Sequence, residues 1–221
     1  MEDKETGRLE AFSDGVFAVA ITLLVLNFQA PTTPSLLTDR ALLDALSRQW
    51  PMIFAFVTSF ATIGIMWINH HRLFNHIKHT DTGLLLLNLL LLPLIVFVPY
   101  PTALLAQQYA AHPGERYAAV LFNGTYFFMA LCFNLLWRYA SYHNRLLGKN
   151  VDQHAVAAIS RQYLFGPISY IITLGLTWIS VPASLILNLI LALFFAVPAR
   201  QSRKALQIDT QEPRELTGND S

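Results

Sequence analysis

Apolar positions in this chain do not alternate with polar ones. They fall in long runs separated by short charged stretches. No Asp, Glu, Lys or Arg occurs in 15–38, 49–71, 82–114, 117–137 or 162–199. Uninterrupted apolar runs of about 18 residues or more predict transmembrane helices. The last run is long enough for two, with Pro182 in Ile179-Ser180-Val181-Pro182 as the turn between them. The pattern therefore predicts an all-α, polytopic membrane protein with six spans, near 10–29, 50–72, 82–107, 117–139, 161–180 and 183–199. Residues 1–204 form the six-helix unit, and 205–221 form a polar tail without apolar periodicity that reads as disordered. Between the first two spans, Leu36, Leu42, Leu43, Leu46 and Trp50 recur at near-helical spacing beside Asp39, Arg40, Asp44 and Arg48. This predicts a short amphipathic helix on the membrane surface. Gly166-Pro167 predicts a kink in the fifth span.

Charge gives the orientation. Six spans put both termini on one side. That side holds Lys4, Arg8, Arg72, Lys78, Arg138, Arg145, Lys149, Arg161, Arg200, Arg203, Lys204 and Arg214, against Arg40, Arg48 and Arg116 on the other. Basic residues favour the cytoplasmic side, so both termini are expected in the cytoplasm. Only 13% of the 221 residues are charged and 54% are hydrophobic, where a soluble domain carries about 25% charged residues. No basic stripe interleaved with aromatics points to nucleic acid. The single cysteine, Cys132, lies inside the fourth span and reads as a small buried apolar residue. The first apolar segment follows Glu2, Asp3 and Glu5 rather than a basic stretch, so it is expected to stay in the mature protein.

The first helix carries a second pattern. At 100° per residue, Phe12, Gly15, Val19, Thr22 and Leu26 lie within about 80° of one another, with Leu23 at the margin. On physical grounds alone an ordinary helix–helix contact is the simpler account of such a seam, with Gly15 allowing close approach. A ring of these stripes from several subunits would instead form a narrow hydrophobic constriction. The Thr-Val-Gly-Tyr-Gly filter of potassium channels with carbonyl-lined pores is absent.

Asn69, His70, His71, Arg72, His76 and His79 cluster at the inner end of the second span, after an interfacial Trp67. A His-dependent membrane metalloenzyme is one reading of this patch, since histidine is a common metal ligand. The other histidines, His112, His143 and His154, are isolated, so no metal site is expected. The favoured reading has one of His70 and His71 hydrogen-bonding a polar group of the first helix while the other faces headgroups or water. A proton- or cation-coupled transporter would need an ionisable group near mid-membrane, and the candidates are the edge residues Asp14, His70 and His71. No hydrolase, zincin or nucleotide-binding motif is present, so no enzymatic activity is expected. Asn88, Asn123, Asn134 and Asn188 lie within spans, where amides commonly bond between helices.

The block Arg8-x-x-x-Phe12-Ser13-Asp14, continuing through Gly15-Val16-Phe17-Ala18-Val19-Ala20-Ile21-Thr22-Leu23-Leu24-Val25-Leu26, resembles the hallmark of the endosomal and lysosomal potassium channels and their prokaryotic relatives, the transmembrane protein 175 family. Trp67-Ile68-Asn69-His70-His71-Arg72-Leu73-Phe74 is similar to the prokaryotic branch. The resemblance implies a channel of the cell membrane that prefers potassium and conducts it passively, without a cofactor. It also implies a homotetramer with the first helix of each subunit lining the pore. By motif position, the constriction maps to Val19, Leu23 and Leu26, and the threonine linked to selectivity maps to Thr22. Arg8, Phe12, Ser13 and Asp14 would form the network that anchors the lining helix, with Asn69, His70 and His71 as candidate partners.

Overall fold

The computed structural model describes residues 2–28, 38–112, 115–148 and 153–196. In chain order these form α1 (Glu2–Leu23), which tightens into a 3-10 turn over Leu24–Asn27, then α2 (Asp39–Ser47), α3 (Trp50–His76), α4 (Thr82–Phe97), α5 (Pro99–Ala111), α6 (Tyr117–Ser141), a 3-10 turn at Tyr142–Asn144, α7 (Gln153–Leu176) and α8 (Val181–Ala196). No described residue lies in a strand. A single isolated bridge, Ile77 to Leu147, ties the loop after α3 to the loop after α6.

Helices occupy all six windows marked by the apolar runs. By length and composition four segments are able to cross a membrane: Thr6–Asn27, Trp50–His76, Thr82–Ala111 and Tyr117–Asn144. The apolar α8 is shorter, and α7 is diluted by Ser160, Arg161, Gln162 and Gly166-Pro167. The expected surface helix is α2, whose Thr38 side chain accepts the Ala41 N–H at its N-terminus. Leu42, Leu43 and Leu46 are exposed along it. Leu36 and the tail 205–221 lie outside the described residues.

Local chemistry sets two boundaries that the sequence pattern did not place. The turn before α8 falls at 177–180, and Pro182 sits in the first turn of α8, where a missing N–H costs no helical bond. The Ser180 hydroxyl accepts the Ala183 N–H there at 3.4 Å. The span predicted over 82–107 is one crossing built from two helices that meet at Val98. Pro99 cannot donate to the Ile95 carbonyl, and the Val98 N–H takes that acceptor at 3.2 Å. The helix α7 continues through Gly166-Pro167 from end to end.

α6 is the hub, packed against α4, α5, α7 and α8. Its Phe122, Tyr126, Met129, Leu136 and Trp137 are fully buried. The Trp137 indole donates to Ser160 on α7 at 2.8 Å. The Asn123 amide donates to Thr177 and Ser184, while Asn188 donates to the Asn123 carbonyl oxygen, joining α6 to α8 and to the end of α7. Within an apolar bundle such amide bonds hold register where packing alone is weakly specific.

A second polar tie closes the α4–α6 end. Asp81 caps α4 by accepting the Leu84 N–H at 2.9 Å. Its other oxygen takes the Tyr139 hydroxyl and the Arg145 guanidinium, each at 2.9 Å. The left-handed residues His143 (φ 51°) and Asn144 (φ 54°) turn the chain sharply after α6, and Arg145 comes to lie 5.2 Å from the Tyr139 ring centroid. Burial pushes the Asp81 carboxyl up, but the Leu84 N–H, Tyr139 and Arg145 outweigh it and hold the group below its ordinary value. Its stabilising contribution is therefore complete above the unfolded carboxyl's pKa of about 4 and is lost as the pH falls through the lower folded value. Asp81→Ala should lower stability by about 1 kcal/mol through loss of the cap alone. Gly83→Ala, whose methyl would overlap the Tyr139 hydroxyl, should displace Tyr139 and weaken the same tie. Thermal unfolding of the detergent-solubilised protein checks both. Unchanged midpoints in both variants would remove this tie from the account of stability.

Candidate functional site: the two faces of the first helix

From Gly15 onward α1 is free of charged residues all round, but it packs on one side only, against α3 and α4. Ser13, Phe17, Ala20 and Leu24, spaced 4, 3 and 4 apart, are fully buried on that side. The opposite side presents Phe12, Gly15, Val19, Thr22 and Leu26, all exposed, with Phe12 at 60%, Val19 at 52% and Leu26 at 72%. The seam read from the sequence is thus the face that this chain leaves uncovered. Leu23 is half-buried at its edge. From Leu24 the backbone is 3-10, with three residues per turn, so Leu26 stacks over Leu23. The Thr22 hydroxyl donates back to its own helix, within reach of the Ala18 and Val19 carbonyls at 3.0 and 2.9 Å. Its oxygen lone pairs remain on the exposed face. No Cβ placed on Gly15 would meet anything within 4 Å, so within one chain nothing demands a glycine there.

The buried side is fixed by a directional chain of hydrogen bonds. Ser13 donates its hydroxyl to the Leu9 carbonyl at 2.9 Å, so its oxygen receives the Asn88 amide N–H at 2.9 Å. This orients the Asn88 side chain, whose carbonyl oxygen then faces His70 Nε2 at 3.0 Å. An acceptor at that position requires Nε2 to carry the proton. The His70 ring is fully buried, stacked on Phe74 at 4.5 Å and tilted against Phe17 at 5.4 Å. Its Nδ1 has no partner among the described residues. Three helices, α1, α4 and α3, are locked by one serine, one amide and one imidazole.

Two further bonds hold the polar end. The Trp67 indole donates to Asp14 at 2.8 Å, and His71 Nδ1 lies 2.6 Å from Glu10. Trp67 stacks on His71, joining both bonds. Of the residues proposed from sequence as the anchor, Ser13, Asp14, His70 and His71 come together here. Asn69 faces the opposite side of α3, where its carbonyl accepts the Tyr163 hydroxyl and its side chain lines a small cavity against α6, α7 and α8. Arg8 is exposed and bonds no other described residue. Glu10, Trp67 and Asn88 complete the network and were not singled out as partners of the first helix. Glu10 lies four residues before Asp14 and Trp67 four before His71, so each pair shares one helix face. In sequence Asn88 is one of four amides within spans, with nothing to tie it to the first helix. Among the described residues no group of three His, Cys, Asp or Glu converges as a metal site.

These features define an all-α, membrane-type bundle whose first helix is clamped on one side and open on the other. The chain belongs to the TMEM175 family. Residues 8–99 match the family described as the endosomal/lysosomal potassium channel TMEM175. Potassium channel Cha6605_3372 of Chamaesiphon minutus is 47% identical over 196 residues, which are 89% of this chain and 96% of that one. The crystal structure of a lysosomal potassium-selective channel TMEM175 homolog from the same organism superimposes with a TM-score of 0.77 at 45% identity, covering 87% of this chain and 97% of that one. The human endosomal/lysosomal proton channel TMEM175 is 36% identical over 145 residues, which are 62% of this chain and 28% of the human protein. The family and these relatives are ion channels rather than enzymes.

The Ser13–Asn88–His70 chain makes a prediction about stability. In lipid an unsatisfied polar group costs several kcal/mol, whereas a single interhelical bond contributes about 0.6 kcal/mol and at most about 1.7. Asn88→Ala removes two interhelical bonds and strands the buried His70 Nε2–H, while Ser13 keeps its bond to Leu9, and should cost about 2 kcal/mol, whereas Trp67→Phe loses one exposed bond and should cost about 0.6 kcal/mol. Asp14→Ala should behave as Trp67→Phe does within one chain, and any additional loss of assembly would place Asp14 in a contact between subunits. Thermal unfolding combined with size-exclusion chromatography measures all three. Equal midpoints for Asn88→Ala and the unmodified protein would show that the chain of bonds does not hold the helix.

Proposed function

We propose that this protein is the subunit of a potassium channel of the cell membrane, assembled as a homotetramer in which the exposed face of α1 lines the central pore. The observation that carries this reading is the uncovered stripe of Phe12, Gly15, Val19, Thr22 and Leu26 opposite a buried, hydrogen-bonded face. A lone helix lying against lipid needs no polar clamp on its inner side to set its rotation. A helix that must present one hydroxyl and a few apolar side chains to a narrow axis does. Rings of Val19, Leu23 and Leu26 would form a dewetted constriction, with Thr22 supplying oxygen within it. Ser13, Asp14, His70 and His71, together with Glu10, Trp67 and Asn88, hold the lining helix in place, while Arg8 and Phe12 stay on its uncovered side and Asn69 faces α7. Downhill flow of potassium requires no cofactor and no chemistry. The potassium-channel names of the bacterial relatives favour this reading over a coupled transporter or a metalloenzyme.

The proposal includes six crossings with cytoplasmic termini. α7, with 24 residues, is about 36 Å long at 1.5 Å per residue. α8, with 16 residues, reaches about 24 Å, and local thinning of the bilayer accommodates the shortfall from about 30 Å. The excess of basic residues on the terminal side sets the orientation. A reporter after Ser221 should read as cytoplasmic and a tag between Ala110 and Gly114 as external. Both on one side would overturn the six-span arrangement.

Conduction is tested by reversal potentials in planar bilayers under bi-ionic potassium and sodium. Val19→Asn and Leu26→Asn should raise conductance and bring the potassium-to-sodium preference towards unity. Thr22→Val, nearly isosteric, should lower selectivity while leaving thermal stability within about 0.5 kcal/mol. Ile190→Asn, on the exposed side of α8, should change neither. Wild-type conductance and reversal potential in all three α1 variants would show that this face is a packing seam.

A further inference from the structure

At the end of the bundle away from α2, a cleft of about 370 Å³ opens between α4 and α6. It is lined by Leu87 of α4, by Leu135, Arg138 and Tyr139 of α6, and by Tyr142 and Arg145 of the turn that follows. Apolar groups thus come first along α6, and basic and phenolic groups one turn further towards the aqueous phase. Leu135 is exposed, and Tyr142 is 67% exposed at the level where aromatic side chains mark the membrane boundary. The two cations are not equivalent. Arg145 is already neutralised by Asp81 at 2.9 Å and lies over the Tyr139 ring. Arg138 is exposed and makes no hydrogen bond or ion pair with a described side chain. The left-handed turn at His143 and Asn144 folds Arg145 back to form the far wall.

An apolar wall beneath an unpaired guanidinium, capped by phenols, matches the order of groups in a lipid: acyl chain, then phosphate, then a polar head. A neutral detergent or a free hydrocarbon would leave Arg138 unanswered, and a small free anion would leave Leu87 and Leu135 uncovered. We propose that this cleft is a binding site for an anionic phospholipid of the cytoplasmic leaflet, its phosphate on Arg138 and its acyl chain along Leu135 and Leu87. The assignment to that leaflet rests on the orientation proposed above. Basic pockets on the cytoplasmic side between helices recognise such headgroups through charge, with each basic residue near the surface adding attraction. Arg145 would contribute donors left over from Asp81, and the Asp81 carboxylate would be kept from repelling the phosphate by that same pairing.

The test uses the full-length protein in neutral detergent, titrated with phosphatidylglycerol, with phosphatidylcholine of the same acyl chains, or with inorganic phosphate. Native mass spectrometry counts bound lipid and the unfolding midpoint reports the stabilisation. Phosphatidylglycerol should bind in preference to phosphatidylcholine, and inorganic phosphate should leave the midpoint unmoved. Arg138→Gln, which breaks no bond within the described chain, should weaken phosphatidylglycerol about fivefold and leave the lipid-free midpoint unchanged. Leu135→Asn should weaken it without changing any charge, and serves as the second probe should Arg138→Gln fold poorly. Arg161→Gln, on α7 and outside the cleft, should bind as the unmodified protein does. The proposal is overturned by full phosphatidylglycerol affinity in Arg138→Gln and Leu135→Asn, by an equal response to inorganic phosphate, or by an equal loss in Arg161→Gln. Binding in micelles is read without ion flux, so failure of this site and failure of the channel reading are separate results.

Discussion

The interaction on which the arrangement depends is the Ser13–Asn88–His70 chain of hydrogen bonds. It is short, but it fixes the rotation of α1 about its own axis. Ser13 cannot accept from Asn88 unless its face is turned inward, and turning Ser13 inward carries Phe17, Ala20 and Leu24 into the core. The opposite stripe is then turned out as a consequence. A helix apolar all round has no hydrophobic reason to prefer one rotation in lipid, because lipid is as apolar as the protein interior. Three polar side chains, each buried with few alternatives, supply the preference that hydrophobicity cannot.

The same logic runs through the rest of the bundle. Asn123 with Thr177, Ser184 and Asn188 fixes α6 against α8 and the end of α7, and Asp81 with Tyr139 and Arg145 fixes the α4 end of the bundle. Trp137 to Ser160 fixes α6 against α7. Apolar packing provides the bulk, and sparse polar bonds choose the register. At the membrane boundary the polar bonds are exposed and individually weak, as with Trp67 to Asp14 and His71 to Glu10. Their value lies in orienting the end of α1, where rotation would otherwise be loosest.

Much of this was readable in the chain. The charge-free runs mark where the helices lie, because helix length in a membrane is set by hydrocarbon thickness. The outward stripe of α1 was readable because its spacing of 3 and 4 survives any choice of partner. The break at Val98 was missed because a proline pair inside an apolar run has two outcomes, a continuous kinked helix or two helices, and composition does not choose between them. The partners of Asp14 and His70 were missed for a different reason. Asn69 is adjacent to His70 in sequence but lies 100° away around α3, so it faces α7 instead. The groups that bond the first helix are Trp67, His71 and Asn88, and Asn88 comes from a helix whose side-by-side placement no local pattern encodes.

The central claim is that the exposed face of α1 meets the permeating ion. Single cysteines along α1, in a background where Cys132 is replaced by alanine, test it most directly through block of potassium current by a water-soluble thiol reagent. The account predicts block at positions 15, 19, 22 and 26 and none at 17, 20 and 24, which point into the subunit's own core. Block that is absent from 19 and 22, or equal on both faces of the helix, would contradict it.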